Sequence, residues 1–371
     1  MTSIALAPTR LGPLALANHI VMAPMTRGRS PGTVPTALVA EYYRQRATAG
    51  LIITEGTAPA ADGVGYTRIP GLYAARHVTG WRQVTDAVHA EGGRIFVQLM
   101  HCGRVAHPLN LPDSAELVAP SAVAATGKMW TDQAQLQDMP VPRALGTEEV
   151  PAVVRQYARS AELAMEAGFD GVELHGANGY LPEQFLNPAS NRRTDAYGGG
   201  VGNRARFVIE AAAAIAAAAG AERTGVRLSP FNTFNDQPPY PEAAETYVHL
   251  AGALQRLGVA YLHLIEPTRA GSGPEVAGTM AAVRRLFTNA VILNGGYDSL
   301  PRMEDALASG RAQLISVGRP YVANPDLVDR LRDGVPLAAG DPATHYAPGP
   351  NGFADGYTTY PAARETARQA A

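Results

Sequence analysis

Short apolar runs recur along the chain, separated by longer stretches with a helical apolar period. Ile20–Pro24 opens the series. Leu51–Thr54 follows a helical pattern over Thr36–Ala49, and Ile95–Leu99 follows one over Gly80–Glu91. Val172–His175 comes after Pro151–Ala167, Val226–Ser229 after the alanine-rich Asn203–Ala219, and Tyr261–Ile265 after Pro241–Leu257. Val291–Asn294 succeeds Glu275–Phe287, and Leu314–Val317 succeeds Leu300–Ala308. Strand-like runs alternating with helices predict an α/β fold with a parallel sheet, and eight such units predict a closed (β/α)8 TIM barrel. A doubly wound sheet is the alternative, but no Gly-x-Gly-x-x-Gly follows any early strand.

Two stretches depart from this rhythm. Residues 4–18 read as a strand pair around Arg10-Leu11-Gly12-Pro13, a hairpin lid over one barrel end. After the third strand, a stretch at about 100–150 is rich in Pro, Ala and polar residues, and a loop that long is functional or has structure of its own. It is expected to cap the barrel, with a small hairpin near Leu117–Ser121. The tail from Asp341, ending in Ala362–Ala371, is expected to wrap the barrel, so that residues 1–371 form a single domain.

Composition narrows the chemistry. A chain of 371 residues that is 46% hydrophobic buries a large core, and a net charge of −2 gives no reason to expect nucleic acid or an acidic membrane as partner. The single cysteine, Cys102, excludes an intrachain disulfide and a cysteine-held cluster. The single lysine, Lys128, lies in the excursion; Gly127-Lys128 is followed by Met129, which rules out a Walker phosphate loop. No signal peptide is evident, and no run approaches the ~18 apolar residues of a membrane span. A soluble cytoplasmic protein is expected.

In a barrel of this kind the site lies at the C-terminal strand ends. The densest of these ends is Val172-Glu173-Leu174-His175-Gly176-Ala177-Asn178-Gly179-Tyr180. Alternate strand residues share a face, so Val172 and Leu174 pack outward while Glu173 and His175 point inward. A lone buried histidine is more often satisfied by nearby backbone. Asn178 and Tyr180 just beyond it shift the balance towards chemistry. No His-x-His or HExxH occurs, and Glu55 and Glu266 lie four strands apart, so no metal is expected.

The last two strand ends carry a phosphate signal: Gly295-Gly296 after strand seven and Gly318-Arg319 after strand eight. Glycines let backbone N–H groups approach an anion, and an arginine adds a charge-assisted fork. Either a phosphorylated cofactor or a phosphorylated substrate would fit. Gln98 and Arg227 take inward positions at the mouth. A buried arginine needs an acceptor. Arg227 either pairs with Glu173 on the next strand, or meets an electron-rich ring edge that Gln98 also bonds. A flavin's pyrimidine edge asks for that set.

At this point the residues resemble the Old Yellow Enzyme family of FMN-dependent ene-reductases, over essentially the whole chain. The resemblance rests on Ala23-Pro24-Met25-Thr26-Arg27, Gly65-Tyr66 with Pro70-Gly71, and Gln98 with His101 and Gly103-Arg104. It continues through His175 to Leu181, Phe185-Leu186, Asn191 to Asp195, Tyr197-Gly198-Gly199 and Asn203-Arg204. Gly318-Arg319-Pro320, Ala323-Asn324-Pro325, Gly356-Tyr357 and Tyr360-Pro361 complete it. It implies tightly bound, non-covalent FMN, with Pro24, Met25, Thr26, Gly56, Gln98 and Arg227 along the isoalloxazine. Asn294, Gly295, Gly296, Gly318 and Arg319 would hold the phosphate. His175 and Asn178 would grip the carbonyl or nitro oxygen of an activated alkene, and Tyr180 would protonate its α-carbon. Tyr66 and Tyr346 would lie over the flavin. NAD(P)H, with NADPH expected, would be the reductant, and the protein a monomer or homodimer.

Departures from the family pattern matter. Thr26 stands where another branch has cysteine, which resembles the yeast and enteric members. Met100 stands where many relatives have tryptophan, and its flexible thioether is expected to soften the substrate pocket. Gly200-Val201-Gly202 is expected to loosen a helix start. Cys102 carries no mark of a nucleophile, and His101 is expected to support its loop. Two other readings are a different FMN barrel dehydrogenase and a flavin-free phosphate-binding isomerase or lyase.

Overall fold

The computed structural model describes residues 3–112, 115–267 and 273–363. Eight parallel strands close a barrel: Ile20–Met22, Leu51–Thr57, Ile95–Leu99, Gly171–Gly176, Thr224–Leu228, Tyr261–Ile265, Ala290–Asn294 and Leu314–Val317. Each pairs with the next in sequence, and the eighth returns to the first. The expected (β/α)8 architecture is the observed one. Among the described residues no helix is long and apolar enough to cross a membrane.

The alternation along each strand sorts its side chains into two environments. Outward residues such as Val97, Val172, Leu174, Val226 and Leu262 join the main core beneath the helices. Inward residues stack in layers. The lower layer is apolar and includes Val21, Leu51, Ile53, Phe96, Tyr261, Ile292 and Leu314. Burying each such large side chain contributes roughly 1.5–3 kcal/mol. Two strand glycines make room for the rings: a Cβ on Gly171 would collide with Phe96, and one on Gly225 with Tyr261. The layer above is polar, with Gln98, Glu173, Arg227, His263 and Ser316 all buried.

The expected lid is an antiparallel pair, Thr9–Leu11 with Leu14–Leu16. Leu11 and Leu16 extend the apolar layer, so the hairpin plugs the end opposite the polar layer. The excursion differs from expectation. Its hairpin is Lys128–Thr131 with Gln135–Asp138, while Val118–Ala119 pairs in parallel with Arg143–Ala144. Leu117–Ser121 therefore finds a partner far along the chain, which local pattern cannot reveal.

Two helix starts also differ. The second spans Ala75–Ala90, with Gly80 inside it, because that glycine faces the Pro35 carbonyl, where a Cβ would come within 2.7 Å. The helix expected from Asn203 begins at Val201, with Gly200 before it and no side-chain cap. The tail lies against the barrel where it is described. Tyr357 stacks on Tyr42 with ring centroids 4.0 Å apart, and Arg27 donates to the Gly356 carbonyl at 2.8 Å. Of the expected tail, residues 364–371 lie outside the described residues.

Candidate active site

Strand four delivers His175 to the barrel mouth, 3% exposed, and the chain then turns back over it. Burial first, then the Arg227 guanidinium and the neighbouring His263 ring, hold the imidazole well below the usual histidine range, so its ring is neutral. Asn178 adopts a left-handed φ of 59°, which asparagine tolerates better than most residues. Its backbone N–H donates to Ser229 Oγ at 2.9 Å, and its carbonyl accepts from Asn235 Nδ2 at 2.8 Å. Tyr180 precedes the helix Leu181–Leu186. Its ring meets the His175 ring edge-on at 4.9 Å, and its hydroxyl lies 3.0 Å from the Tyr66 hydroxyl. Burial, then Tyr66 and Cys102, push the Tyr180 phenol well above its usual range, so it keeps its proton.

A buried network braces this turn. Glu183 Oε1 accepts from Ser229 Oγ at 2.8 Å and from Tyr247 at 2.7 Å, while its Oε2 accepts the Gly179 N–H. Gln184 donates to the Gly179 carbonyl at 2.8 Å and the Cys102 carbonyl at 3.0 Å. His101 supports the loop, as expected: its Nδ1 accepts the Gly103 N–H at 3.1 Å, and its carbonyl accepts from Leu181. Burial pushes the Cys102 thiol far up, so it is not a thiolate.

The polar layer decides against one of the two readings of Arg227. Glu173 does not take Arg227. Its Oε1 accepts from Gln98 Nε2 at 2.8 Å and its Oε2 from His263 Nδ1 at 2.9 Å. Arg227 donates instead to Asn294 Oδ1 at 3.1 Å, and its Nε is buried without a partner. Burial raises the Glu173 carboxyl, but His263, Arg227 and Gln98 outweigh it and keep the group an anion. Burial lowers His263, which is neutral beside it.

The other expected residues complete the rim. Gly56 pairs with Gln98 across strands two and three, after an irregularity in register. Its missing side chain is where the thioether of Met100 sits; Met100 is 1% exposed, so it fills a niche rather than standing loose in the mouth. Pro24 is buried and Thr26 half-buried, and the threonine hydroxyl has no hydrogen-bond partner among the described residues. Glu55 anchors the loop that carries Thr26 by accepting the Arg27 and Gly28 N–H groups at 3.0 and 3.1 Å. Gly295 and Gly296 take φ values of 139° and 71°, which side-chain-bearing residues rarely adopt. Gly318 lies beside Met25. Arg319 is exposed and has no carboxylate partner among the described residues. Tyr346 is 69% exposed, within electrostatic reach of Tyr66.

Sequence reasoning missed Asn235, Glu183, Gln184 and His263. Asn235 lies on the loop after strand five and adds its amide against the Tyr66 and Tyr180 hydroxyls. Nothing in its local sequence marks it. His263 had a readable signal: its inward parity in Tyr261–Ile265 matches that of Arg227.

The profile of the NADH:flavin oxidoreductase / NADH oxidase family matches residues 6–338. The chain belongs to this family. A chanoclavine-I aldehyde reductase of Penicillium roqueforti is 42% identical over 363 residues, with 94% of each chain covered. A probable flavin mononucleotide-dependent alkene reductase of Leishmania infantum is 40% identical, covering 95% of this chain and 96% of its own. The solved structure of the Old Yellow Enzyme homologue from Zymomonas mobilis is 37% identical and superposes with a TM-score of 0.90 over 96% of this chain and 99% of that one. The protein is thus an FMN-dependent oxidoreductase of the Old Yellow Enzyme type. Its own residues fit the cofactor: among the described residues the buried Arg227 Nε and the Thr26 hydroxyl lack partners, and the turn after strand seven is made of Gly295 and Gly296, which carry no side chain of their own.

Proposed function

We propose that the protein reduces activated alkenes, such as enones, enals, maleimides and nitroalkenes, at the expense of NAD(P)H, with NADPH the expected donor. When bound, FMN would supply hydride to the alkene β-carbon and recover it from the nicotinamide. Two relatives, a chanoclavine-I aldehyde reductase and a probable alkene reductase, support the substrate class.

The observation that carries this reading is the meeting of two kinds of group at one strand end. His175 is neutral, so it donates one N–H without adding a charge, and Asn178 stands three residues on in the same turn. Both would bond the oxygen on which negative charge builds, a type of stabilisation worth several kcal/mol when the donors are aimed beforehand. Tyr180 holds a proton on its hydroxyl beside the same imidazole, 4.9 Å between rings, and would deliver it to the α-carbon. Tyr66, whose hydroxyl lies 3.0 Å away, would return a proton to it. Pro24, Met25, Thr26, Gly56, Gln98 and Arg227 would line the ring system, and Asn294, Gly295, Gly296, Gly318 and Arg319 the phosphate. Met100 and Tyr346 would border the substrate.

The test is an anaerobic visible spectrum followed through addition of NADPH and then 2-cyclohexenone. The flavin band should bleach and return. A flavin that bleaches but ignores every activated alkene would refute the alkene-reductase reading and leave the cofactor standing.

A further inference from the structure

Glu173 is a buried anion that the proposed chemistry leaves unused. It is 0% exposed, on an inward position two residues before His175. A carboxylate only accepts hydrogen bonds. The Gln98 amide, 2.8 Å away, must therefore turn its nitrogen towards Glu173 and its carbonyl oxygen away from it. His263, neutral, donates to the other carboxylate oxygen at 2.9 Å and leaves the charge in place. Arg227 faces this anion electrostatically but bonds Asn294. The polar layer thus holds one cation and one anion on separate partners, and the amide bonded to the anion has one orientation.

We propose that Glu173 is a positioning residue for the flavin. It determines which end of the Gln98 amide meets the pyrimidine edge, and it offsets the Arg227 charge there. This rests on FMN lying against Gln98 and Arg227, as read above. Without Glu173, the uncompensated guanidinium would favour the reduced, anionic cofactor over the oxidised one.

Glu173→Gln keeps the volume and removes the charge. Its folding is checked by thermal unfolding, FMN affinity by flavin fluorescence on the stripped protein, and midpoint potential by equilibration with a reference dye. FMN binding should weaken at least about tenfold. The remaining preference should move about tenfold towards the reduced form, a rise of about 30 mV in the two-electron midpoint. Glu173→Asp keeps the charge but withdraws it from Gln98, so it should weaken FMN binding at the wild-type potential. It also serves alone if Glu173→Gln does not fold, and wild-type FMN affinity in it would then refute the idea. An unchanged or lowered potential in folded Glu173→Gln overturns the inference, whatever the affinity. Failure of the wild-type protein to take up FMN would overturn both this inference and the reading beneath it. Uptake of FMN with no turnover of alkenes would strike the substrate reading alone.

Discussion

The two sides of the barrel mouth are built differently. Beyond strand four, the turn that follows is tied into the protein, while His175 Nδ1 is buried without a partner among the described residues. Asn178 is tied to Ser229 and Asn235, Ser229 to Glu183, and Glu183 to Tyr247. Beyond strand seven stand two glycines with positive φ, and beyond strand eight an exposed arginine, Arg319, that has no carboxylate partner among the described residues. The difference fits what each side is proposed to do. Donors that stabilise a developing charge work best when they need no reorganisation, so the protein braces the turn that carries them. A phosphate cradle works by leaving donors for its ligand.

The sharpest probe of the braced side is its acid. Tyr180→Phe should slow reoxidation by 2-cyclohexenone about 10²–10⁴-fold in stopped-flow, with reduction by NADPH nearly unchanged. Equal slowing of both half-reactions would place its role elsewhere. Next in size is the brace itself. Glu183→Ala strands the donors of Ser229, Tyr247 and Gly179, and should destabilise the fold by about 3–5 kcal/mol in thermal or denaturant unfolding. An unaltered midpoint would mean that the turn is held without it.

On the open side the pattern should reverse. Arg319→Ala should weaken FMN binding about 10–100-fold, the worth of a charge-assisted bond, while the stability of the cofactor-free protein stays the same. A loss of stability there would erase the contrast. The smallest effect concerns pH. Because His175 is held below and Tyr180 above their ordinary values, the alkene half-reaction should show no inflection from either between about pH 6 and 8. The same His175 shift ties stability to pH. Its folded pKa lies below its unfolded one, so the unfolded chain takes up the proton first as pH falls. Its contribution is present above about pH 6.5 and declines below it. His175→Gln should flatten that part of the stability profile, and an unchanged profile would contradict a neutral imidazole.

Much of this molecule was legible in one dimension. Eight apolar runs at helical intervals specify the barrel, because each strand must bury its outward face under a helix. Period-two parity then assigns Gln98, Glu173, His175 and Arg227 to the inside, and glycine with arginine after strands seven and eight marks the proposed cradle. What parity cannot decide is which inward groups touch. Arg227 turned to Asn294, Glu173 to Gln98 and His263, and Tyr66 to Tyr180. The excursion's hairpin and the reach of Asn235 into the site were equally hidden. The side-chain contacts of Arg227, Glu173 and Tyr66 join residues 67 to 114 positions apart. The local pattern sets each residue's face and height. Only closure of the barrel sets its neighbours, since hydrogen bonding is decided by distances of a few tenths of an ångström between elements that share no local sequence.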